Sequence, residues 1–441
     1  MRRPLVLTAV LGLLGVLVLP GQAAAAAGPP TTTPIEHLVV MMQNDHSFDN
    51  YFGTYPGANG IPANTCLPLE TETRSLDGCL APFRMGNEPP EDLNRTEGVQ
   101  RRQYDDGRMD GFVAAYRRIG RDGSTAMGHY DDADVPFYWN LADDFTLFDN
   151  FFSSARAGTR LNHFYWVAGV PTPTGGERLP AEGYGDIPTI FDRLADRGVP
   201  WKFYVENLDP AADFRTDPAA TARVPLLAFA RFLDDPRLAG HVVDLSEYYA
   251  DLAAGTLPSV AYVVPNGSNE SPPARLEKGQ DLVRSMTAEL AKSAYWPSSA
   301  FLLTYSGWGG YYDHVAPPTI DDQGYGFRVP ALLVSPYSRR GHIDHTTLDY
   351  TGILRFIEDN WRVPALGARD AASPGLGSAF DFTTGPRRAE LVGTDRTARP
   401  ISPRARAVVY GTYGGMLLLA VAAAVVPGVL RRRRDSREEV S

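Results

Sequence analysis

The sequence predicts an α/β fold in which a mainly parallel central sheet carries helices on both faces, followed by a C-terminal transmembrane helix. Short, nearly continuous apolar runs alternate with stretches whose apolar residues recur at helical spacing, an alternation typical of α/β domains. Clusters of glycine and polar residues follow several of these runs, as expected where strands end. A long apolar segment near the C-terminus precedes four arginines, which favours a membrane span.

The individual elements can be assigned in chain order. The run IEHLVVMM suits a buried parallel strand, because such strands are covered on both faces and contain few polar residues. The stretch IPTIFDRLADRGVPWKFYVE predicts a helix that ends at Gly198 and a strand after it. The predicted strands are residues 35–42, the second part of 187–206, and residues 261–265, 300–305 and 329–336; the predicted helices are the first part of 187–206 and residues 278–293 and 351–361.

Length and composition exclude several classes of protein. The chain has 441 residues, enough for one large or two ordinary domains, and 44% of them are hydrophobic, so a sizeable core can form. The formal net charge is -10, and no basic stripe interrupts the main body of the chain. Proteins that bind nucleic acid usually carry such a stripe, so we expect no nucleic-acid partner.

Both ends of the chain are hydrophobic and indicate membrane targeting. Residues 1–27 combine two arginines, an apolar run and a small-residue stretch, which predicts a secretory signal peptide; an uncleaved anchor is the alternative. Residues 407–430 are long enough to cross a bilayer, although a buried soluble helix would have a similar composition. The basic tail, residues 431–441, would lie in the cytoplasm. We therefore expect a single-pass cell-membrane protein, with a large extracellular domain over 31–394 and a juxtamembrane linker over 395–406.

The two cysteines, Cys66 and Cys79, lie close together in a loop-rich part of the predicted exported domain. An oxidising compartment favours a disulfide between them over two free thiols or a metal site. We therefore predict a Cys66–Cys79 disulfide.

Four segments that follow strands or turns carry residues suited to chemistry, namely residues 41–53, 151–169, 263–274 and 301–318. Asn44 and Asp45 follow the first predicted strand, where oxygen ligands can hold a divalent cation, although an Asx-rich turn explains them equally well. Thr159 follows a glycine and precedes a predicted helix, so its hydroxyl could act as a nucleophile or simply cap the helix. Asn162 and His163 lie close by and are candidates for binding an anionic substrate.

Taken together, these segments resemble a bacterial phosphoesterase family that contains non-haemolytic and haemolytic phospholipases C and a group of acid phosphatases. The matching pieces, in the order of the family, are IEHLVVMMQNDHSFDNYFGTYPG, PFYWNLADDFTLFDNFFSSARAGTRLNH, TIFDRLADRGVPWKFY, SPPARLEKGQDLVRSM, TYSGWGGYYDHVAPP, RVPALLVSPYSR and LDYTGILRFIEDNW. The resemblance implies an alkaline-phosphatase-like α/β fold. It also implies metal-dependent hydrolysis of phosphate esters by a hydroxyl nucleophile.

Thr159 stands at the position of the family nucleophile, but the metal-binding positions differ. The family ends its first strand with a Glu-Asn metal pair, where this chain has Asn44 and Asp45. Two metal-holding carboxylates of the family's glycine-rich loop are Ser306 and Gly307 here. A glycine has no ligating side chain and a serine hydroxyl is a poor metal ligand, so the resemblance implies weakened metal binding.

Three hypotheses follow for a surface-anchored protein of this family. The first is a hydrolase of phospholipids or other phosphate esters whose metal-dependent activity is weakened or lost, with a divalent metal ion as cofactor if it is active. The second is an inactive relative that binds lipid head groups, a wall polymer or a protein and needs no cofactor. The third is a metal-free hydrolase in which His163 is the base for Thr159.

Overall fold

The computed structural model describes residues 29–71, 78–86, 91–209, 217–271 and 276–396. The chain divides into two compact units, Met1–Thr394 and Asp395–Ser441. The predicted signal peptide at 1–27, the predicted span at 407–430 and the basic tail at 431–441 lie outside the described residues.

An eight-stranded sheet forms the centre of the first unit, with the strand order β10-β4-β9-β8-β1-β7-β5-β6. All pairs in it are parallel except the two made by β9, which runs antiparallel to both β8 and β4. A separate two-stranded ladder pairs β2 with β3. The strands are β1 His37–Gln43, β2 Phe83–Arg84, β3 Gly128–His129, β4 Thr146–Phe148, β5 Trp201–Val205, β6 Val242–Asp244, β7 Val260–Val264, β8 Ser299–Tyr305, β9 Ala331–Val334 and β10 His342–Asp344.

The helices lie between the strands in chain order, most of them short. They are α1 Phe48–Phe52, α2 Glu97–Tyr104, α3 Phe112–Arg117, α4 Pro136–Asp144, α5 Thr159–Ala168, α6 Ile190–Arg197, α7 Pro218–Arg223, α8 Ala230–Asp234, α9 Pro236–Ala239, α10 Ser246–Ala254, α11 Leu276–Lys292, α12 Tyr350–Trp361 and α13 Ala368–Ala372. Helix α6 ends where the sequence predicts, since Gly198 adopts a left-handed conformation with φ 69°.

Both faces of the central strands are covered. All seven residues of β8 are buried, and so are all five of β7. Because successive side chains of a strand point to opposite faces, burial of every residue requires packing on both sides. Continuous apolar runs such as the one in β8 are the sequence signature of this arrangement.

The register of the sheet determines where the site forms. Strand β1 lies between β8 and β7, and Gln43 at its end pairs with Tyr305 at the end of β8. The residues that follow these two strands therefore emerge side by side. The carboxyl ends of parallel strands are where α/β proteins bind ligands.

A second hydrophobic cluster lies apart from the main core, and we call residues 61–129, which supply most of it, the cap. Buried cap residues such as Phe112 and Tyr116 pack with Trp308 and Tyr311 from the loop after β8. The predicted disulfide is confirmed: Cys66 and Cys79 are bonded, with their Cα atoms 5.5 Å apart.

The fold prediction needs two corrections. The sheet is mixed, because β9 returns from β8 through the loop at 306–330 and pairs antiparallel, a connection that needs no crossover helix. The predicted architecture with a transmembrane helix is also wrong for the described part of the chain. None of its helices has both the length and the apolar character needed to cross a bilayer. Even α11, at 17 residues, is charged along its length.

Candidate active site

The ends of β1 and β8 bring together residues that the sequence singled out. Asp45 adopts a left-handed conformation with φ 49°, and its Oδ1 accepts a 2.7 Å hydrogen bond from the Ser306 hydroxyl. A Cβ atom at Gly307 would lie 3.3 Å from the same carboxylate oxygen. Asn44 is half-buried beside them, and its backbone N–H donates to the side chain of Gln43. The predicted metal-ligand segments therefore do meet, at the carboxylate of Asp45.

An arginine that sequence reasoning missed is the ionic partner of this carboxylate. Arg95 Nη1 lies 3.4 Å from Asp45 Oδ2 and donates a 2.7 Å hydrogen bond to the Ser271 hydroxyl. Arg95 Nη2 lies 3.0 Å from Asp92 Oδ1. Arg95 belongs to the cap, far from Asp45 in sequence, so no local spacing connects the two. An isolated arginine in an acidic, loop-rich segment was the one available signal.

Thr159 begins helix α5, but it does not cap it. Gly158 is the N-cap residue, and the Glu177 carboxylate accepts hydrogen bonds from the backbone N–H groups of Arg160 at 2.9 Å and Leu161 at 3.1 Å. The first N–H groups of a helix have no partner within the helix, and a carboxylate at this end also gains from the helix dipole. Because Gly158 occupies the N-cap position, the interpretation of Thr159 as the cap is wrong; Thr159 is the first residue of the helix and is half-buried.

Asn162 braces the turn that leads into Thr159. Its side-chain Oδ1 accepts from the backbone N–H of Ala155 at 3.0 Å, and its Nδ2 donates to the carbonyl of Ala157 at 3.1 Å. The side chain is fully buried. These contacts fix the approach to α5, and the predicted role in binding substrate stays a prediction.

His163 offers an unused nitrogen beside the first turn of α5. Its Nδ1 lies 2.9 Å from the backbone oxygen of Thr159, so Nδ1 carries the hydrogen and Nε2 has a lone pair. Nε2 is buried and has no hydrogen-bond partner among the described residues. Burial lowers the pKa of His163 to about 4, against the opposing effects of the Thr159 carbonyl and the charge of Asp45. The imidazole is therefore neutral at pH 7, and its lowered pKa makes it a weak proton acceptor.

Glu270 is held in a cage of tyrosines behind the strand ends. Tyr51 and Tyr305 donate hydrogen bonds to its Oε2 at 2.6 and 2.8 Å, and Tyr138 donates to Oε1. Glu270 is fully buried, and burial raises its pKa to about 7, while the three hydroxyl groups oppose that rise. The carboxyl group therefore faces the core of the protein.

One further group has the composition of a metal site. Asp49, Asp313 and His314 place one potential ligand atom each within 4.8 Å of one another. Arg328, itself fully buried, pairs with Asp49 at 2.8 Å and with Asp313 at 3.1 Å. His314 Nδ1 lies 2.7 Å from Asp49 Oδ2. A guanidinium group thus already supplies the positive charge that these two carboxylates require.

Comparison with known proteins identifies the family. The profile of the Phosphoesterase family matches residues 35–364. The chain belongs to the phosphoesterase family. This phosphoesterase-family protein is 30% identical to Phospholipase C A of Mycobacterium tuberculosis, over 83% of this chain and 81% of that protein. It is 26% identical to the Non-hemolytic phospholipase C of Pseudomonas aeruginosa, over 79% of this chain and 57% of that protein.

Solved structures are more distant. A protein of the alkaline phosphatase superfamily from Vibrio parahaemolyticus aligns with a TM-score of 0.40 and 13% identity, covering 82% of this chain and 76% of that one. The Phosphonate Monoester Hydrolase of Agrobacterium radiobacter aligns with a TM-score of 0.38 and 10% identity, covering 75% and 74%. Family membership therefore rests on the sequence matches.

The residues of this phosphoesterase-family protein do not fit the divalent metal ion that the family implies. Divalent ions prefer several oxygen ligands with negative charge. Where the two predicted ligand segments meet, the carboxylate is that of Asp45, and it is already shared by Ser306 and Arg95. In the second group, the Arg328 guanidinium would repel a cation held by Asp49 and Asp313.

Proposed function

We propose that this protein is a phosphate-ester hydrolase whose metal-dependent activity is weakened or lost. The observation that carries the proposal is the pairing of Asp45 with Ser306 and Arg95, at the strand ends where the family resemblance implies a metal. A phosphoester hydrolase needs positive charge to offset the phosphate and to lower the pKa of the attacking hydroxyl. One arginine that already neutralises a carboxylate leaves little charge for either task.

Residual activity would depend on the residues of the chain itself. Thr159 at the start of α5 is the candidate nucleophile, and a hydroxyl needs a base to attack at neutral pH. His163 is neutral and its Nε2 is unpartnered within the described part of the chain, so it supplies a proton acceptor in the same turn of helix. A general base is most effective when its pKa lies near the working pH, and the pKa of His163 is lowered to about 4, so we expect the residual activity to be slow.

The substrate class comes from the relatives. The similar proteins from Mycobacterium tuberculosis and Pseudomonas aeruginosa are phospholipases C, so we propose phospholipids or other phosphate esters as substrates. We further propose that the protein works outside the cytosol. The disulfide between Cys66 and Cys79 supports this, because disulfides persist mainly in oxidising compartments.

An inactive binding module is the second candidate, and the position of Glu177 favours it. The N-terminus of a helix is a natural binding site for a phosphate group. Here the N–H groups of Arg160 and Leu161 at that end already bind the Glu177 carboxylate. A protein that keeps an internal anion in this place could use its outer surface to recognise lipid head groups, a wall polymer or another protein.

Hydrolysis of chromogenic phosphate monoesters and diesters tests the proposal. The purified full chain and its Thr159→Ala variant would be assayed without metal and with Mg, Ca, Mn or Zn, beside Thr383→Ala as an exposed control. We expect slow turnover that disappears in Thr159→Ala and persists in the control. Turnover that is equal in all three proteins would reject Thr159 as nucleophile, and no turnover under any condition would favour the binding module.

A further inference from the structure

We infer that the Arg95 guanidinium takes the place of a divalent metal ion in this protein and links the loops that follow three neighbouring strands. The inference rests on the proposed function for the location of the site, and it holds whether or not the site turns over substrate. It is motivated by the poor fit of the residues to a metal and by the contacts of Arg95.

The first step is the position of the contacts in the sheet. Strands β8, β1 and β7 are consecutive neighbours. Ser306 follows β8, Asp45 follows β1 and Ser271 lies in the loop after β7. Ser306 and Arg95 both bind Asp45, and Arg95 also binds Ser271. A single cationic group thus connects three strand-end loops, as a metal ion does when its ligands come from different strands.

The second step is charge balance. Asp45 supplies one negative charge to this junction, and Arg95 supplies one positive charge. The Ser306 hydroxyl donates its hydrogen to Asp45, and Gly307 has no side chain, so neither adds charge. A divalent ion would leave the junction with excess positive charge, whereas a guanidinium balances it. Asp92, the other partner of Arg95, is 59% exposed and is therefore well screened by solvent.

The third step is how the cap holds Arg95 in place. Leu93, two residues before Arg95, is buried in the cap cluster. The carbonyl of Asn94 accepts a 2.8 Å hydrogen bond from the Tyr116 hydroxyl of α3. The backbone next to Arg95 is thus fixed by the cap core, and the side chain, 29% exposed, extends towards Asp45. The position of the guanidinium beside Asp45 therefore depends on the folded cap. For this reason no local sequence pattern predicts the contact between Arg95 and Asp45.

Binding of Mn²⁺ to the full chain, measured by isothermal titration calorimetry, tests the inference directly. We expect wild type to show the same Mn²⁺ binding as Asp45→Asn, because the Arg95 guanidinium already occupies the place beside Asp45 where a metal ion would bind. The variant Arg95→Ala/Ser306→Asp/Gly307→Glu restores two carboxylates and removes the guanidinium. We expect this triple variant to bind one Mn²⁺ ion more than wild type does, with an affinity at least tenfold higher than wild type shows. We also expect its melting temperature to rise when Mn²⁺ is added.

A second measurement keeps the inference testable if that triple variant does not fold. Without metal, we expect Arg95→Ala to lower the melting temperature, Arg95→Lys to retain part of the stability, and Arg101→Ala, an exposed arginine of the same cap, to leave it unchanged. The inference would be overturned if wild type bound one equivalent of Mn²⁺ and Asp45→Asn abolished that binding. It would also be overturned if Arg95→Ala left the melting temperature unchanged. Failure of the proposed function would instead appear as absent turnover with these binding results unchanged.

Discussion

Gly279 of helix α11 lies directly against the carboxyl group of Glu270. A methyl group at residue 279 would be 2.1 Å from Glu270 Oε1 and 2.2 Å from its Cγ. Atoms cannot approach so closely without displacement, so the helix reaches the tyrosine cage only because residue 279 has no side chain. Glycine normally weakens a helix, and its presence here is explained by packing.

Gly279→Ala is therefore expected to destabilise the protein although alanine favours helices. Overpacking of this kind costs about 1–3 kcal/mol. Gly98→Ala in helix α2 is the matched control, because its new methyl group would meet only the Arg102 side chain, at 3.5 Å. We expect that control to be neutral or slightly stabilising. Urea denaturation of both variants checks the difference, and equal effects would contradict the close contact.

Glu270→Gln is expected to change how stability depends on pH. Burial raises the pKa of Glu270 from 4.5 to about 7, so the folded protein holds the proton more tightly than the unfolded chain. The stability associated with this group is fully present below about pH 4.5 and is lost as pH rises through about 7, on the order of 3 kcal/mol in all. Melting temperatures from pH 5 to 8 should fall less steeply in Glu270→Gln than in wild type; parallel curves would refute the assignment.

Arg328→Met is expected to be strongly destabilising. The guanidinium is fully buried between Asp49 and Asp313, and its removal leaves two buried carboxylates without a counter-charge. Loss of one partner in a buried ion pair costs about 3–5 kcal/mol. Arg101→Ala, which removes an exposed pair with Glu97, should cost less than about 1 kcal/mol. Chemical denaturation distinguishes the two, and a similar small effect for both would show that the cluster tolerates unpaired charge.

Glu177→Ala is expected to weaken the start of α5. The variant removes the acceptor of the Arg160 and Leu161 N–H groups, and loss of a helix cap costs about 0.5–2 kcal/mol. Glu182→Ala changes an exposed glutamate in the same loop and serves as the control. Thermal unfolding should separate the variants. If they melt together, Glu177 does not cap this helix in solution.

Much of the fold was predictable from local patterns. Continuous apolar runs identified the buried strands β1, β7 and β8, and Gly198 marked the end of α6, because these signals depend on neighbouring residues. The direction of β9 was not predictable, since it depends on the path of the long loop before it. The short edge strands β6 and β10 were missed for a different reason, because three residues are too few to form a recognisable apolar run.

The candidate site was predictable in part. The position of Asn44 and Asp45 after a predicted strand made them candidate ligands, and the glycine and predicted helix around Thr159 made it a candidate nucleophile. Ser306 was singled out only by the family resemblance. The roles of these residues stay predictions.

The charged partners in and around the site were not identified. Arg95 pairs with Asp45 and Arg328 pairs with Asp49, each across a long stretch of chain, and the Glu177 carboxylate accepts hydrogen bonds from the first N–H groups of α5 across the loop that follows this helix. No spacing rule in the sequence predicts these contacts.

The sequence by itself determined the family, the α/β class, the disulfide pair and the strand-end position of Asn44 and Asp45. Each of these follows from local composition or from the order of motifs. Only the tertiary structure decided which charges meet: Arg95 with Asp45, Glu177 with the start of α5, and Arg328 with Asp49 and Asp313. The physical reason is that Coulomb interactions and hydrogen bonds depend on distance in space, and the packing of the cap and the loops sets those distances.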